Sequence, residues 1–184
     1  MSAVRRLLTT AFAAGGLVVV TGLPAVATNA TATLTGGTLG FVAAPAATGF
    51  SVSLTGADVT SNSTQTFDVG DATGSGSGWN VTATSTTFTA GSHTLPTTAV
   101  TVQSVPTVAC DAGASCTVAT NGTSYPYTLP AGATAPTATK VFSSAANTGL
   151  GNQTITLGFR LSVPANAFAG SYISTWTYTL VSGP

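Results

Sequence analysis

Few side chains in this chain could do chemistry, and they are widely spaced. His93 is the only histidine and sits in Ala-Gly-Ser-His-Thr-Leu-Pro, which reads as a turn. Ser, His and Asp all occur, but no Gly-x-Ser-x-Gly elbow, phosphate loop or paired zinc histidines tie them together. The expectation is a protein without catalysis and without a cofactor. Asp68 and Asp71 stand beside a Gly/Ser-rich stretch from Asp71 to Gly78. Calcium takes about six or more oxygen ligands, and two carboxylates three apart fall short of an Asp-x-Asp-x-Asp-Gly loop. They are expected to cap turns by accepting backbone N–H bonds, with no metal. Lys140 is the only lysine, and Asn147 and Asn152 are available for an internal Lys–Asn isopeptide bond. A solvated lysine on a strand is the default. Leu95-Pro96-Thr97-Thr98 starts like a sortase signal, but Ala99 stands where Gly is needed and no apolar tail with a basic end follows. Covalent anchoring by that route is not expected.

Cys110 and Cys116 enclose Asp-Ala-Gly-Ala-Ser. In an exported protein such a pair reads as a structural disulfide. A redox role is disfavoured, because the spacing is not Cys-x-x-Cys and no basic residue is near to lower a thiol pKa. Export itself is read from the first 27 residues. Arg5 and Arg6 give a positive start, Leu7 to Val20 is mostly apolar, and Ala25-Val26-Ala27 is a small-residue cleavage site. The apolar run is short and broken by Thr9, Thr10, Gly15 and Gly16, which argues against a membrane anchor. Residues 1–27 are thus expected to be a signal peptide, and 28–184 one domain large enough to bury a core. No later segment is long and apolar enough to span a bilayer.

Charge is nearly absent from residues 28–184. Lys140 and Arg160 face Asp58, Asp68, Asp71 and Asp111, and Glu is missing. That excludes an electrostatic footprint for nucleic acid, and leaves no basic patch for anionic lipids or wall polymers. Any surface contact must be aromatic, apolar or hydrogen-bonding, and so little affected by salt.

The elements that must position these residues are strands. Thr, Gly, Ser, Val and Asn dominate, and no segment after the leader reads as a good helix. Alternating stretches bounded by Gly, Pro and Asn mark strands at Ala30–Leu34, Phe50–Thr55, Trp79–Phe88, Thr98–Gln103 and Gln153–Leu161. In the last, Ile155, Leu157, Phe159 and Leu161 share one face. A final strand runs from Tyr172 to Val181, with Tyr172, Ser174, Trp176, Tyr178 and Leu180 on one face and Ile173, Thr175, Thr177, Thr179 and Val181 on the other. Asp71–Gly78 and Ala131–Pro136 read as loops, the second as a mobile excursion. Many short alternating strands predict an all-β fold, a β-sandwich of mainly antiparallel strands.

The terminal strand resembles the C-terminal signature of the WxL family of Gram-positive cell-surface domains. That signature runs Tyr, three residues, Leu, one residue, Trp, one residue, Leu, three residues, Pro. Tyr172, Leu180 and Pro184 fall in register, while Trp176 stands in place of Leu and Tyr178 in place of Trp. Thr66–Val81 is similar to the family's first motif, with Gly78 and Trp79 matching and Val81 in place of Leu. The segments Gly37–Phe41 and Gly151–Pro164 resemble the family as well.

The resemblance implies a secreted protein on the cell-wall surface, bound without a covalent bond to peptidoglycan or another wall glycan, with other surface proteins as further partners. It makes Gly78, Trp79, Val81, Tyr172, Trp176, Tyr178 and Leu180 the candidate wall- or partner-binding residues. The aromatics among them either fill the core between two sheets or stack on sugar rings. The shared face of Tyr172, Trp176, Tyr178 and Leu180 favours burial, and an exposed patch would mark a binding site. Since the domain fills residues 28–184, it is expected to act as a small subunit of a surface assembly. The alternative function is a structural subunit that builds a surface layer or filament by strand contacts with copies of itself, which low charge and an unblunted terminal strand suit.

Overall fold

The computed structural model describes residues 28–184. The expected signal peptide, residues 1–27, lies outside them. By compactness the chain divides into residues 1–34 and Thr35–Pro184. Of the first unit, residues 28–34 are described, and they are exposed and form no strand. The strand expected at Ala30–Leu34 is therefore not formed, and Leu34 is 90% exposed.

The second unit is all β, with no helix among the described residues. Its strands are β1 (Leu39–Ala43), β2 (Val59–Asp71), β3 (Trp79–Thr86), β4 (Thr89–Ala90), β5 (His93–Thr94) and β6 (Val100–Val102). They continue as β7 (Thr107–Cys110), β8 (Tyr127–Thr128), β9 (Ala131–Gly132), β10 (Thr139–Ser144), β11 (Gly151–Val163) and β12 (Trp176–Ser182). One sheet has the order β1-β2-β11-β6-β8, with β7 sharing an edge of β11 beside β6. The facing sheet has the order β10-β3-β12, with β9 parallel to β3 beyond β10. β4 and β5 form a small hairpin.

The long central pair β2 and β11 is in register over thirteen residues, from Val59↔Val163 to Asp71↔Gly151. Phe67 and Val69 on β2, and Ile155, Leu157 and Phe159 on β11, point into the core. From the other sheet, Trp79, Val81 and Ala83 of β3 meet them, together with Val141 and Phe142 of β10. The layers touch directly: Phe67 meets Tyr178 edge-on at 4.7 Å, and Phe159 lies 4.9 Å from Trp176. This is the sandwich that the alternation predicts.

Three local readings change. Phe50–Thr55 forms no strand, yet Phe50 and Val52 still pack against the core. Ala131–Pro136 is tied down rather than mobile. Ala131 and Gly132 pair with Ser85 and Thr86, and the Thr84 hydroxyl donates to the Pro136 carbonyl at 2.6 Å. β2 escaped notice because its inward positions Ser61, Ser63 and Gln65 are polar. Gln65 is buried, and its side-chain carbonyl accepts from the Thr48 hydroxyl at 2.5 Å.

Candidate functional site

The two motif segments, about a hundred residues apart in sequence, are neighbouring antiparallel strands. β12 pairs with β3 so that Leu180 faces Val81, Tyr178 faces Ala83 and Trp176 faces Ser85. The aromatic residues of β12 thus meet small ones on β3. Beyond the strand end, the Gly183 N–H donates to the Gly78 carbonyl at 2.9 Å. The Asn80 side-chain amide donates to the Gly183 carbonyl at 2.7 Å. Both motifs therefore lock one strand pair.

Gly78 and Trp79 serve packing. Gly78 has φ +73°, and a Cβ there would stand 2.5 Å from the Ser144 carbonyl oxygen. Trp79 has no exposed surface. Its ring stacks on Phe142 at 5.5 Å, and its Nε1–H donates to the Gly149 carbonyl at 2.9 Å. Gly149 has φ +82°, and a Cβ would lie 2.5 Å from that same indole nitrogen. Val81 is fully buried beside them. None of the three reaches solvent, so none can touch a wall polymer in this fold.

Tyr172, Trp176, Tyr178 and Leu180 are half-buried, and the alternate residues Ile173, Thr175, Thr177, Thr179 and Val181 are exposed, as the period-two reading predicts. Trp176 sits among Phe50, Phe88, Phe159 and Tyr178, with ring centroids 4.9 to 6.4 Å apart. The Tyr178 hydroxyl is buried without a hydrogen-bond partner. Burial, and then the neighbouring Tyr127, push its pKa above the ordinary phenol value.

Two grooves flank this aromatic row. The larger, about 680 Å³, is lined by Phe50, Leu54, Phe88, Phe168 and Tyr172 together with Thr48–Gly49 and Ala169–Ser171. Phe168 is 61% exposed, and the Tyr172 hydroxyl donates to its carbonyl at 3.0 Å. The smaller, about 500 Å³, runs between Phe41–Pro45 and the outer side of Trp176–Tyr178. The larger groove offers aromatic and aliphatic side chains beside the hydroxyl residues Thr48, Ser51 and Ser171, and no charged side chain. That suits a neutral sugar chain better than an ion.

The remaining candidates do not gather into a reactive centre. His93 is exposed and stacks on Phe168 at 3.9 Å. Asp71 points inward and accepts from the Thr73 N–H and hydroxyl at 3.0 and 2.6 Å, which is the expected turn cap. Asp68 points to the opposite face, where burial and the nearby Asp111 carboxylate raise its pKa. The two thus cannot share a cation, and among the described residues no cluster of three His, Cys, Asp or Glu could hold a metal. Lys140 is exposed and its ammonium donates to the Pro184 carbonyl at 2.7 Å, whereas Asn152 is exposed on the other sheet and Asn147 lies in the turn beyond β10. Cys110 and Cys116 form the disulfide, with Cα atoms 5.6 Å apart. Among the described residues no helix is long and apolar enough to cross a membrane.

Sequence reasoning missed Phe88 and Phe168, which lie outside both motifs. The signal for Phe168 was a large aromatic in a Pro/Ala/Gly-rich stretch with no strand to bury it. A family model matches residues 47–184, described as WxL domain surface cell wall-binding. No curated protein and no solved structure matches the chain significantly.

Proposed function

This chain belongs to the WxL family of surface cell wall-binding domains, and on that premise we propose that it is an exported domain that holds to peptidoglycan without a covalent bond through the Phe168–Tyr172 groove. The carrying observation is the groove itself: the exposed Phe168 beside the half-buried Phe50, Phe88 and Tyr172, in a domain almost devoid of charge. Sugar rings present weakly polar C–H faces, and aromatic side chains supply large contact area at low entropy cost. Tyr172 is the motif residue given a contact role. Gly78, Trp79, Val81, Trp176, Tyr178 and Leu180 build and stiffen the platform behind it. Catalysis has no part in this reading.

The test is co-sedimentation of the protein with peptidoglycan sacculi stripped of anionic polymers. Pelleting that is equal at low and high salt is expected, because no ion pair contributes. Binding that disappears at high salt, or is absent from stripped sacculi, would remove glycan contact from the account.

A further inference from the structure

Phe168 is the exposed aromatic of the larger groove, yet it stands in residues 164–172, which form no strand. A ring left free there would turn about its χ angles. A ligand stacking on it would have to stop that motion, at a cost in affinity. The structure holds the ring instead. Just beyond the loop, the Thr89 N–H donates to the Ile173 carbonyl and the Ile173 N–H to the Thr89 carbonyl, each at 3.0 Å. The Tyr172 hydroxyl fixes the Phe168 carbonyl. The Phe168 ring is covered by His93, whose imidazole lies flat on it, with centroids 3.9 Å apart and an interplanar angle of 15°.

The sequence Ala90-Gly-Ser-His93 sets that placement. Ala90 pairs with His93, so Gly91 and Ser92 form a two-residue loop. Gly91 has φ +58° and Ser92 keeps a negative φ. That is the pattern of a type II′ turn, which wants glycine at its first central position. Residues directly opposite each other share a face of the hairpin. On that face Ala90 meets Gly170, where a Cβ would lie 3.4 Å from the alanine Cβ, and His93 meets Phe168. The base of the same hairpin reaches the groove. The Leu95 N–H donates to the Phe88 carbonyl at 2.9 Å, and both residues line the groove. His93 does not line it, so the imidazole backs the Phe168 ring from outside.

We infer that His93 is a positioning residue of the larger groove: carried on the β4–β5 hairpin, it holds the Phe168 ring so that the face toward the groove is presented in advance to a neutral sugar ring of the wall glycan. The inference rests on the wall reading above and gives the lone histidine a part in it. The stack leaves one face of Phe168 open, so Phe168 meets one sugar ring rather than clasping two.

The experiment joins the histidine's own NMR signal to sacculus binding. The untagged protein has one histidine, so its imidazole protons are identified by count. In the stack they lie over the Phe168 ring, and Phe168→Ala is expected to move them downfield. Unmoved signals overturn the inference, because the ring would not be held. His93 is exposed, so His93→Ala should keep the parent's urea midpoint. It is expected to pellet with stripped sacculi about two- to tenfold more weakly, the range for ordering one freed side chain. His93→Phe keeps a flat ring and should bind as the parent does. A folded His93→Ala that binds like the parent, or a folded His93→Phe as weak as His93→Ala, overturns the inference and leaves the wall reading standing. A parent protein that does not pellet overturns both.

Discussion

Trp79 shows why a motif residue need not touch a ligand. Its indole is enclosed by Phe142 and bonded to Gly149. Trp79→Ala is expected to cost about 3–5 kcal/mol, as truncating a buried aromatic does, measured by urea unfolding. Lost wall binding in that variant would report a lost fold. Gly149→Ala should destabilise through the same contact, since its Cβ would meet the indole nitrogen. Tyr178 carries the opposite expectation. Its buried hydroxyl has no partner, so Tyr178→Phe is expected to raise stability by about 1 kcal/mol, the order of an unsatisfied buried polar group. A raised phenol pKa means the folded state holds its proton more tightly than the unfolded one. Stability should therefore fall as pH rises above about 10, where the unfolded tyrosine ionises. The pH-dependence of unfolding of the Phe variant, set against the parent, checks the sign. Burial of the aromatic row could be read from its spacing. The role of Trp79 as pure core could not, because its partners Phe142 and Gly149 are distant in sequence.

At the scale of elements, legibility followed the side-chain pattern. β11 alternates apolar with polar residues and was visible over Gln153–Leu161. β2 was not, because its inward positions Ser61, Ser63 and Gln65 are polar, and the buried Gln65 is held by a hydrogen bond from Thr48 rather than by apolar burial. Phe50–Thr55 looked like a strand because it alternates, yet no neighbouring edge receives it and it lines a groove instead. The disulfide was legible from compartment and spacing. It closes the turn after β7, whose Cys110 faces Gln153 of β11. Its loss should cost about 2 kcal/mol by the chain-entropy argument, read as a lower urea midpoint under reduction. Wall binding should persist in the reduced protein while it remains folded, since the groove is built from other segments.

The whole molecule combines a rigid strand pair with two differently suited grooves. Of the motif residues, Gly78, Trp79 and Val81 are interior and Tyr172, Trp176, Tyr178 and Leu180 half-buried, while the exposed aromatic of the larger groove, Phe168, comes from a loop. That division explains how Trp176 and Tyr178 can stand in place of Leu and Trp: the β3–β12 seam sets large against small, and the substituted side chains still meet Ser85 and Ala83.

The most direct measurement compares the sacculus binding of the Phe168→Ala, Tyr172→Ala double variant with that of the parent, alongside the urea midpoint of each. Phe168 is mostly exposed and Tyr172 half-buried, so the variant is expected to fold. A variant that folds but binds at least about tenfold more weakly, a loss of about 1.4 kcal/mol, is the predicted result. A folded variant that pellets as well as the parent would contradict the account and move wall contact to another face.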